Sequence, residues 1–143
     1  MSYSYPRHLP FECIRCATCC MDTKTHVRRV LLLKEETKRI STVSWRSTEE
    51  FAFEIVGREP YAYEMKKTME DKKCVFLDGD FCKIYAIRPL ICRFYPFQLI
   101  KGRRQKYSFS ASVECPGVGR GGILKKEFFE NLFQQACESI ECR

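Results

Sequence analysis

Cysteine constrains this chain more than any other residue, since it accounts for ten of the 143 positions. Four cysteines fall in one run, Cys-Ile-Arg-Cys-Ala-Thr-Cys-Cys, which begins at Cys13. A gap of two residues between cysteines lets a tight turn direct both sulfurs to one centre, as in zinc knuckles and iron–sulfur sites. A chain of this length has room for one compact domain. We therefore predict a single domain, residues 1–143, organised around cysteine-ligated metal.

The compartment decides how such thiols are used. The first twelve residues contain no apolar segment typical of a secretory signal, and the aliphatic run 30–33 is far shorter than the roughly 20 residues of a membrane span. We therefore expect a cytoplasmic protein with no membrane association. In a reducing compartment, dense cysteine indicates metal binding or catalysis before disulfides.

The positive charge of the chain does not by itself indicate a nucleic-acid partner. The formal net charge is +7, and eight thiolates around two dipositive ions would reduce it to +3. Basic residues alternate with acidic ones except in the segment 101–106, Lys-Gly-Arg-Arg-Gln-Lys. We interpret this segment as a solvated surface loop and expect no nucleic-acid partner.

Hydrophobic periodicity and turn signals predict an α+β fold with short strands, a hairpin and a C-terminal helix. The C-terminal helix is the clearest element, because apolar residues recur at helical spacing over 123–140. The other predictions are strands at 27–32, 50–56, 61–67 and 107–113, a hairpin over 74–85, and helices over 34–40 and 89–94.

The hairpin allows two registers. With a two-residue turn at Asp78-Gly79, Val75 faces Cys82 and the thiol of Cys74 falls on the opposite side. With a three-residue loop over 78–80, Phe76 faces Cys82 and both thiols share one face. We therefore expect a bulged hairpin if both cysteines bind one metal.

Eight cysteines are predicted to bind metal. Adjacent side chains rarely reach one tetrahedral ion without strain, so Cys19 and Cys20 suggest two neighbouring centres, although one of the two could instead be a small buried hydrophobe. Cys137 is interpreted as a core thiol and Cys142 as free, while His8 and His26 are given no ligand role. The predicted ligands are Cys13, Cys16, Cys19, Cys20, Cys74, Cys82, Cys92 and Cys115.

Two further patterns have simpler explanations than catalysis. Gly117, Gly119 and Gly122 match G-x-G-x-x-G, but no second parallel strand follows to complete a dinucleotide-binding unit, so we predict a loop that presents Cys115. Arg88 and Arg93 flank Cys92, and we expect them to balance the negative charge of thiolate centres.

The order of these motifs resembles the YkgJ-like CxxCxxCC cysteine-cluster family, whose members are described as chelating zinc or iron. The resemblance covers residues 11 to about 121, and Ala17 stands where the family usually has glycine. This family includes the cysteine domain of flagellin lysine N-methylases, which use S-adenosylmethionine. Those enzymes are much longer than this chain, so the resemblance does not imply their activity here.

Three functions follow as hypotheses. The first is a redox or accessory protein that holds iron–sulfur clusters of the 4Fe–4S type, because C-x2-C-x2-C opens the bacterial ferredoxin pattern, whose fourth cysteine is followed by proline as Cys115 is here, far downstream. The second is a structural zinc module that binds a protein partner. The third is a component of a methyl-transfer enzyme that needs another chain.

Overall fold

The computed structural model describes residues 2–14, 16–23, 27–112 and 114–140. Its mixture of helices and short strands confirms the predicted α+β class. The helices are α1 (Lys34–Ser44), α2 (Thr48–Phe51), α3 (Leu90–Phe94) and α4 (Lys126–Ile140). The strands are β1 (Ser2–Ser4), β2 (Pro10–Phe11), β3 (Leu31–Leu32), β4 (Ala52–Glu54), β5 (Tyr63–Met65), β6 (Leu77–Asp78), β7 (Phe81–Cys82), β8 (Phe97–Lys101), β9 (Lys106–Ala111) and β10 (Val118–Ile123).

The chain divides into two compact units. Unit 1 comprises Met1–Cys16 and Phe94–Arg143, and unit 2 comprises Ala17–Arg93. None of the helices in the described ranges combines the length and the apolar character needed to cross a bilayer.

Unit 2 contains helix α1 and a three-stranded antiparallel sheet in the order β3-β5-β4. The predicted strands at 27–32, 50–56 and 61–67 are present in shorter form as β3, β4 and β5. Buried Glu64 on β5 accepts a hydrogen bond from Arg29 Nε at 2.9 Å, which satisfies its charge. The core consists of apolar side chains from these elements and from the hairpin: Val30, Leu32, Ile40, Phe51, Ala52, Met65, Cys74, Phe76 and Ile84.

Helix α1 is held at its start by Glu36. Leu33, at the N-cap, has no side-chain oxygen, so the usual reciprocal cap is reduced to one half: Leu33 N–H donates to Glu36 Oε1 at 2.9 Å. The other carboxylate oxygen, Oε2, accepts a hydrogen bond from Leu90 N–H at 2.6 Å. One carboxylate therefore fixes the first residues of both α1 and α3.

Unit 1 contains a sheet in the order β1-β9-β8, with β1 parallel to β9 and β8 antiparallel to it. Sequence reasoning predicted β9, as a strand at 107–113, and predicted no strand at the positions of β1 and β8. The β8–β9 hairpin places the basic segment 101–106 at its tip, where all six residues are exposed. This placement agrees with the predicted solvated loop.

Aromatic rings form the core of unit 1. Phe129 on α4 is fully buried, with its ring centroid 5.2 Å from that of Phe97 and 5.1 Å from that of Phe109. Leu132 and Ala136 continue the buried face of α4. The apolar periodicity predicted for this helix is therefore present as a buried face, and the side chain of Ile140 lies outside the described residues.

The predicted glycine loop is a strand. In β10, Val118 pairs with Phe11 and Ile123 pairs with Pro10 of β2, with an irregularity between the two pairs. This pairing delays the start of α4 to Lys126, so the prediction of a helix from Ile123 was three residues too early.

The dual role of Glu36 predicts its mutational cost. Glu36→Ala leaves the N–H groups of Leu33 and Leu90 without their acceptor, and we expect it to lower the free energy of unfolding by about 2 kcal/mol. Glu35→Ala is the matched control, because that side chain is exposed and pairs with Lys38 Nζ at 3.5 Å, and it should cost less than about 0.5 kcal/mol. Urea denaturation measures both, and equal losses would contradict this role for Glu36.

Candidate metal centre

The eight predicted ligands fall into two groups. Unit 2 contains five of them, which we call the five-thiol group: Cys19, Cys20, Cys74, Cys82 and Cys92. Unit 1 contains the other three, the three-thiol group: Cys13, Cys16 and Cys115. The division falls between Cys16 and Cys19 and does not separate Cys19 from Cys20.

A tight turn places the adjacent cysteines of the five-thiol group together. Ala17 takes the left-handed conformation with φ 65°, and Cys20 N–H donates to its carbonyl oxygen at 2.9 Å to close a short 3₁₀ turn over Thr18–Cys20. The sulfur atoms of Cys19 and Cys20 are 3.7 Å apart. The assignment of this pair to two neighbouring centres stays a prediction, since this sulfur separation does not distinguish one centre from two.

Backbone pairing brings Cys74 to Cys20. Cys74 N–H donates to the carbonyl oxygen of Cys20 at 2.6 Å, and an antiparallel bridge joins the neighbouring residues Met21 and Lys73. Cys74 is buried in the core of unit 2, and Cys20 packs against the same core. The CxxCxxCC run and the hairpin are thus joined by main-chain hydrogen bonds.

The hairpin has neither of the two registers considered from the sequence. Leu77 pairs with Cys82 and Asp78 with Phe81, so the turn consists of Gly79 and Asp80, with Gly79 at φ 65°. A second turn, in which Leu77 N–H donates to Cys74 O at 3.0 Å, takes Cys74 out of the ladder. The β6–β7 ladder has no bulge between these pairs, and the predicted bulge applies only if Cys74 and Cys82 bind one metal.

Helix α3 carries Cys92 to the same core. Cys82 and Cys92 are both half-buried and pack against the buried cluster that contains Cys74. The predicted helix over 89–94 is confirmed as Leu90–Phe94, following the fully buried Pro89. The N–H of Leu90, the first residue of α3, donates the hydrogen bond to Glu36 described above.

Hydrogen bonding and burial give these thiols different pKa values. Hydrogen bonding with Cys20 lowers the pKa of Cys19 to about 6 and that of Cys82 to about 7, while it raises the pKa of Cys20. Burial raises the pKa of Cys74 to about 11 and that of Cys92 to about 12. The group therefore combines thiols that ionise readily with thiols that lose their proton only to a strong competitor such as a metal ion.

Two arginines lie in the field of this group. Arg28 Nε donates to the carbonyl oxygen of Cys19 at 2.9 Å, and the positive charges of Arg28 and Arg88 also lower the pKa of Cys19. Arg88 stacks on the ring of Tyr85 at 4.0 Å. The charge-balancing role expected for Arg88 is thus supported. For Arg93, the structure shows an ion pair with a carboxylate, in which Nη2 lies 3.9 Å from Glu36 Oε2. Sequence reasoning missed Arg28, since it lies outside every cysteine motif.

Strand pairing brings the segment before Cys13 to the turn that follows Cys115. Glu12, the residue before Cys13, donates its N–H to Gly117 O at 3.1 Å, and Val118 N–H donates to Cys115 O at 3.2 Å. Cys13 and Cys16 are exposed while Cys115 is buried. Burial raises the pKa of Cys115, with smaller contributions from Cys16 and Cys13.

Glycine is required where these segments meet. A Cβ atom on Gly117 would lie 2.2 Å from Glu12 O, and one on Gly121, at φ +77°, would lie 2.7 Å from Glu12 Cβ. Gly117, the first glycine of the G-x-G-x-x-G pattern, therefore allows two backbones to approach closely in the turn before β10. This is the supporting role that the sequence suggested.

The donor set fits a thiophilic metal. Across the described ranges, no three side chains of Cys, His, Asp or Glu are arranged as a ready-made metal-holding set. The two groups nevertheless offer only sulfur, which suits zinc and iron–sulfur clusters and does not suit magnesium or calcium. Metal binding would also remove the thiol protons that burial retains.

The other cysteines and the histidines are not members of these two groups. Cys137 is half-buried on α4, which is less than the core burial that we expected, and His8 is exposed. The interpretations of Cys142 and His26 lie outside the described residues.

An α+β chain with grouped thiols of this kind defines the class of small cysteine-rich metal-binding proteins. More particularly, the chain belongs to the CxxCxxCC family, described as a "putative zinc- or iron-chelating domain", whose model matches residues 12–138. The resemblance inferred from the motifs is thereby confirmed.

Two relatives come from Methanocaldococcus jannaschii, and both are named as uncharacterized proteins. MJ0661 is 29% identical over 134 residues, which cover 88% of this chain and 68% of the relative. MJ0939 is 25% identical over 146 residues, which cover 92% of this chain and 49% of that relative, so the chain spans about half its length. No solved structure matches the chain.

The backbone at residue 17 generates one prediction. Ala17→Gly should change the free energy of unfolding by less than about 1 kcal/mol, because the relief of a positive φ offsets the lost methyl and the added freedom of the unfolded chain. Ala17→Val should cost more than about 2 kcal/mol and reduce bound metal, because a β-branched residue is strained at this φ and the site is buried. Denaturation and metal analysis measure both, and a valine variant equal to wild type would contradict the argument.

The glycines in and just before β10 generate a second prediction. Gly117→Ala should lower the metal bound by the chain, because its methyl would push Glu12, and with it Cys13, away from Cys115. Gly122→Ala is the matched control, since a Cβ there meets nothing within 4 Å. Metal content per chain measures the effect, and an equal loss in both variants would show that strand pairing does not matter.

Proposed function

We propose that this protein holds iron–sulfur clusters through its eight grouped cysteines and acts as a redox or accessory protein. The observation that carries the proposal is the gathering of four thiols, those of Cys20, Cys74, Cys82 and Cys92, around one buried core, with the sulfur of Cys19 3.7 Å from that of Cys20. Free buried thiols that are merely structural have no need to collect in this way. The family match over 12–138, a range that includes all eight cysteines, supports metal binding by the chain.

Iron–sulfur binding is favoured over zinc by spacing. A centre of four thiolates carries a charge of about −2 with either zinc or a 4Fe–4S cluster, so the positive fields of Arg28 and Arg88 at Cys19 support a thiolate centre of both kinds. The C-x2-C-x2-C spacing with a distant Cys115-Pro116 is the ferredoxin-like feature of the sequence. When bound, such a cluster would supply one-electron redox chemistry, while the chain supplies thiolates, positive charge and a hydrophobic surround.

Structural zinc is the alternative, because four thiolates also satisfy zinc. In that case the protein is a cytoplasmic interaction module for a protein partner. A role as the metal component of a methyl-transfer enzyme would require a second chain to supply the methyl-donor site.

Anaerobic purification followed by iron, zinc and acid-labile sulfide analysis tests the proposal. Iron and sulfide in equal amounts, with a brown colour that bleaches on reduction, are expected for an iron–sulfur protein. A colourless protein with stoichiometric zinc would establish the zinc alternative. A protein that binds neither after reconstitution would contradict metal binding altogether.

Cysteine substitutions test the ligand assignment. Replacement by serine should lower bound metal at each of six predicted ligands, because a neutral hydroxyl is a poor substitute for thiolate. Cys137→Ser is the matched control and should retain its metal while losing only modest stability. Equal metal loss in this control would overturn the assignment. The six variants are Cys13→Ser, Cys16→Ser, Cys74→Ser, Cys82→Ser, Cys92→Ser and Cys115→Ser.

A further inference from the structure

The turn that joins β8 to β9 carries a dense cluster of positive charge. Lys101, Arg103, Arg104 and Lys106 fall within six residues, and the hairpin over 97–111 contains no acidic residue. All four basic residues are exposed. Within the described ranges, Arg103, Arg104 and Lys106 belong to no ion pair, so their charge is directed to solvent.

The backbone of this basic turn has a strained conformation. Arg104 lies in the left-handed region at φ 56° and ψ 40°, and Gln105 follows at φ 57°. This region costs a residue with a Cβ atom about 1 kcal/mol, a cost that glycine avoids. Gly102 N–H donates to Lys106 O at 2.6 Å and closes the turn. The chain thus presents an arginine where glycine would be unstrained, and strain of this kind is often found at binding sites.

The sheet behind the basic turn has one face covered by α4. Strand register places Tyr3, Tyr107 and Phe109 on that face, where the ring of Tyr3 stacks on that of Phe133 at 4.6 Å. The opposite face exposes five residues, none of them acidic or aromatic: Ser2, Ser4, Gln98, Ile100 and Lys106. This face therefore does not cancel the positive charge of the turn.

Strand β8 is the outer strand of the same sheet, since β9 lies between it and β1. Ser112 N–H donates to Pro96 O at 2.7 Å. Together with the hydrogen bond that closes the turn, this contact directs the peptide groups of the even-numbered residues of β8 towards β9. The peptide groups of Leu99 therefore point away from β9, and within the described ranges no strand pairs with that edge. Such an edge can accept an extended peptide through main-chain hydrogen bonds.

We propose that the β8 edge and the basic turn form a docking surface for an acidic, extended segment of a partner protein. The main chain of the segment pairs with β8, and its carboxylates reach Arg103 and Arg104, because a guanidinium group binds a carboxylate through two parallel hydrogen bonds. The net charge of +7 attracts such a partner and disfavours a second copy of this chain. The inference concerns unit 1 alone and does not depend on bound metal.

The composition of this surface favours a protein over a nucleic acid. Single-stranded bases stack on aromatic side chains, and the exposed residues of the sheet face include none. A DNA duplex is held by a track of phosphate contacts, whereas the positive charge here is confined to one turn. The peptide groups at the β8 edge are matched by another polypeptide main chain.

Binding of a model peptide tests the proposal. The full-length protein would be titrated at low salt with a fluorescent peptide of alternating Glu and Val, and with a peptide in which Gln replaces Glu. We expect only the acidic peptide to bind, and Arg103→Gln combined with Arg104→Gln to weaken its binding about tenfold. Lys125→Gln combined with Lys126→Gln is the matched control, because it removes the same charge from exposed residues of the same unit. The control should weaken binding less than about twofold.

Single variants and amide NMR separate recognition from stability. Asparagine tolerates the left-handed conformation, so Arg104→Asn should leave the urea midpoint unchanged while it weakens peptide binding. Arg104→Lys keeps the charge and should retain more of the affinity than Arg104→Asn. Addition of the acidic peptide should shift the amide resonances of β8, with Leu99 among them, and leave those of β1 at the other edge of the sheet unchanged.

Four results would overturn the inference. The first is no binding of the acidic peptide, and the second is an equal loss of binding in both double variants, which would show that net charge alone is responsible. The third is a set of amide shifts that excludes β8. The fourth is tighter binding of a DNA duplex, of poly(U) or of phosphatidylglycerol vesicles through Arg103 and Arg104, which would assign the turn to another class of partner. None of these results bears on metal content, so the proposed function is tested separately.

Discussion

The hydrogen bond from Cys74 N–H to Cys20 O, at 2.6 Å, is the contact on which the arrangement of the five-thiol group depends. It joins the CxxCxxCC run to the hairpin inside a buried core, where an unpaired amide would be costly. Asp22 extends the junction, since its N–H donates to Lys72 O at 3.0 Å and its carboxylate pairs with Lys67 at 2.7 Å. These contacts hold two distant segments in register before any metal contributes. The site is therefore positioned by main-chain pairing as well as by its ligands.

Sequence reasoning identified elements better than it identified their partners. The apolar periodicity of α4 and the Pro89 start of α3 depend on local preferences, which the sequence displays directly. The register Leu77–Cys82 depends on where the turn is placed, and both Asp78-Gly79 and Gly79-Asp80 are acceptable turns. Strand β10 depends on a partner far away at Pro10 and Phe11, and its glycines have weak strand preference. Turn placement therefore decided the hairpin register, and long-range pairing decided β10.

The candidate site shows the same limit. Spacing indicated which cysteines could bind metal, because C-x2-C is itself a local geometry. The grouping was not accessible, since it depends on the left-handed turn at Ala17, which places the sulfurs of Cys19 and Cys20 on one side. The glycine that the family usually has at this position is explained by the same φ of 65°, a conformation that glycine adopts without strain. The alanine at position 17 therefore adopts the left-handed backbone conformation that the family's glycine favours, and cysteine spacing alone does not reveal this conformation.

Ionisation connects the packing of the five-thiol group to its chemistry. Five thiolates in this group would repel each other, and removing them from water would cost more free energy than their packing contributes. The chain limits this cost by raising the pKa of Cys74 and Cys92 through burial, and by concentrating ionisation at Cys19 and Cys82, where hydrogen bonding from Cys20 stabilises a thiolate. A metal ion reverses this balance, because its charge replaces the protons of the buried thiols. The metal-free core is thus compatible with folding because its thiols are only partly ionised. The buried thiols of Cys74 and Cys92 remain protonated, and they lose their protons when a metal ion binds, so metal binding and the packing of this core are coupled.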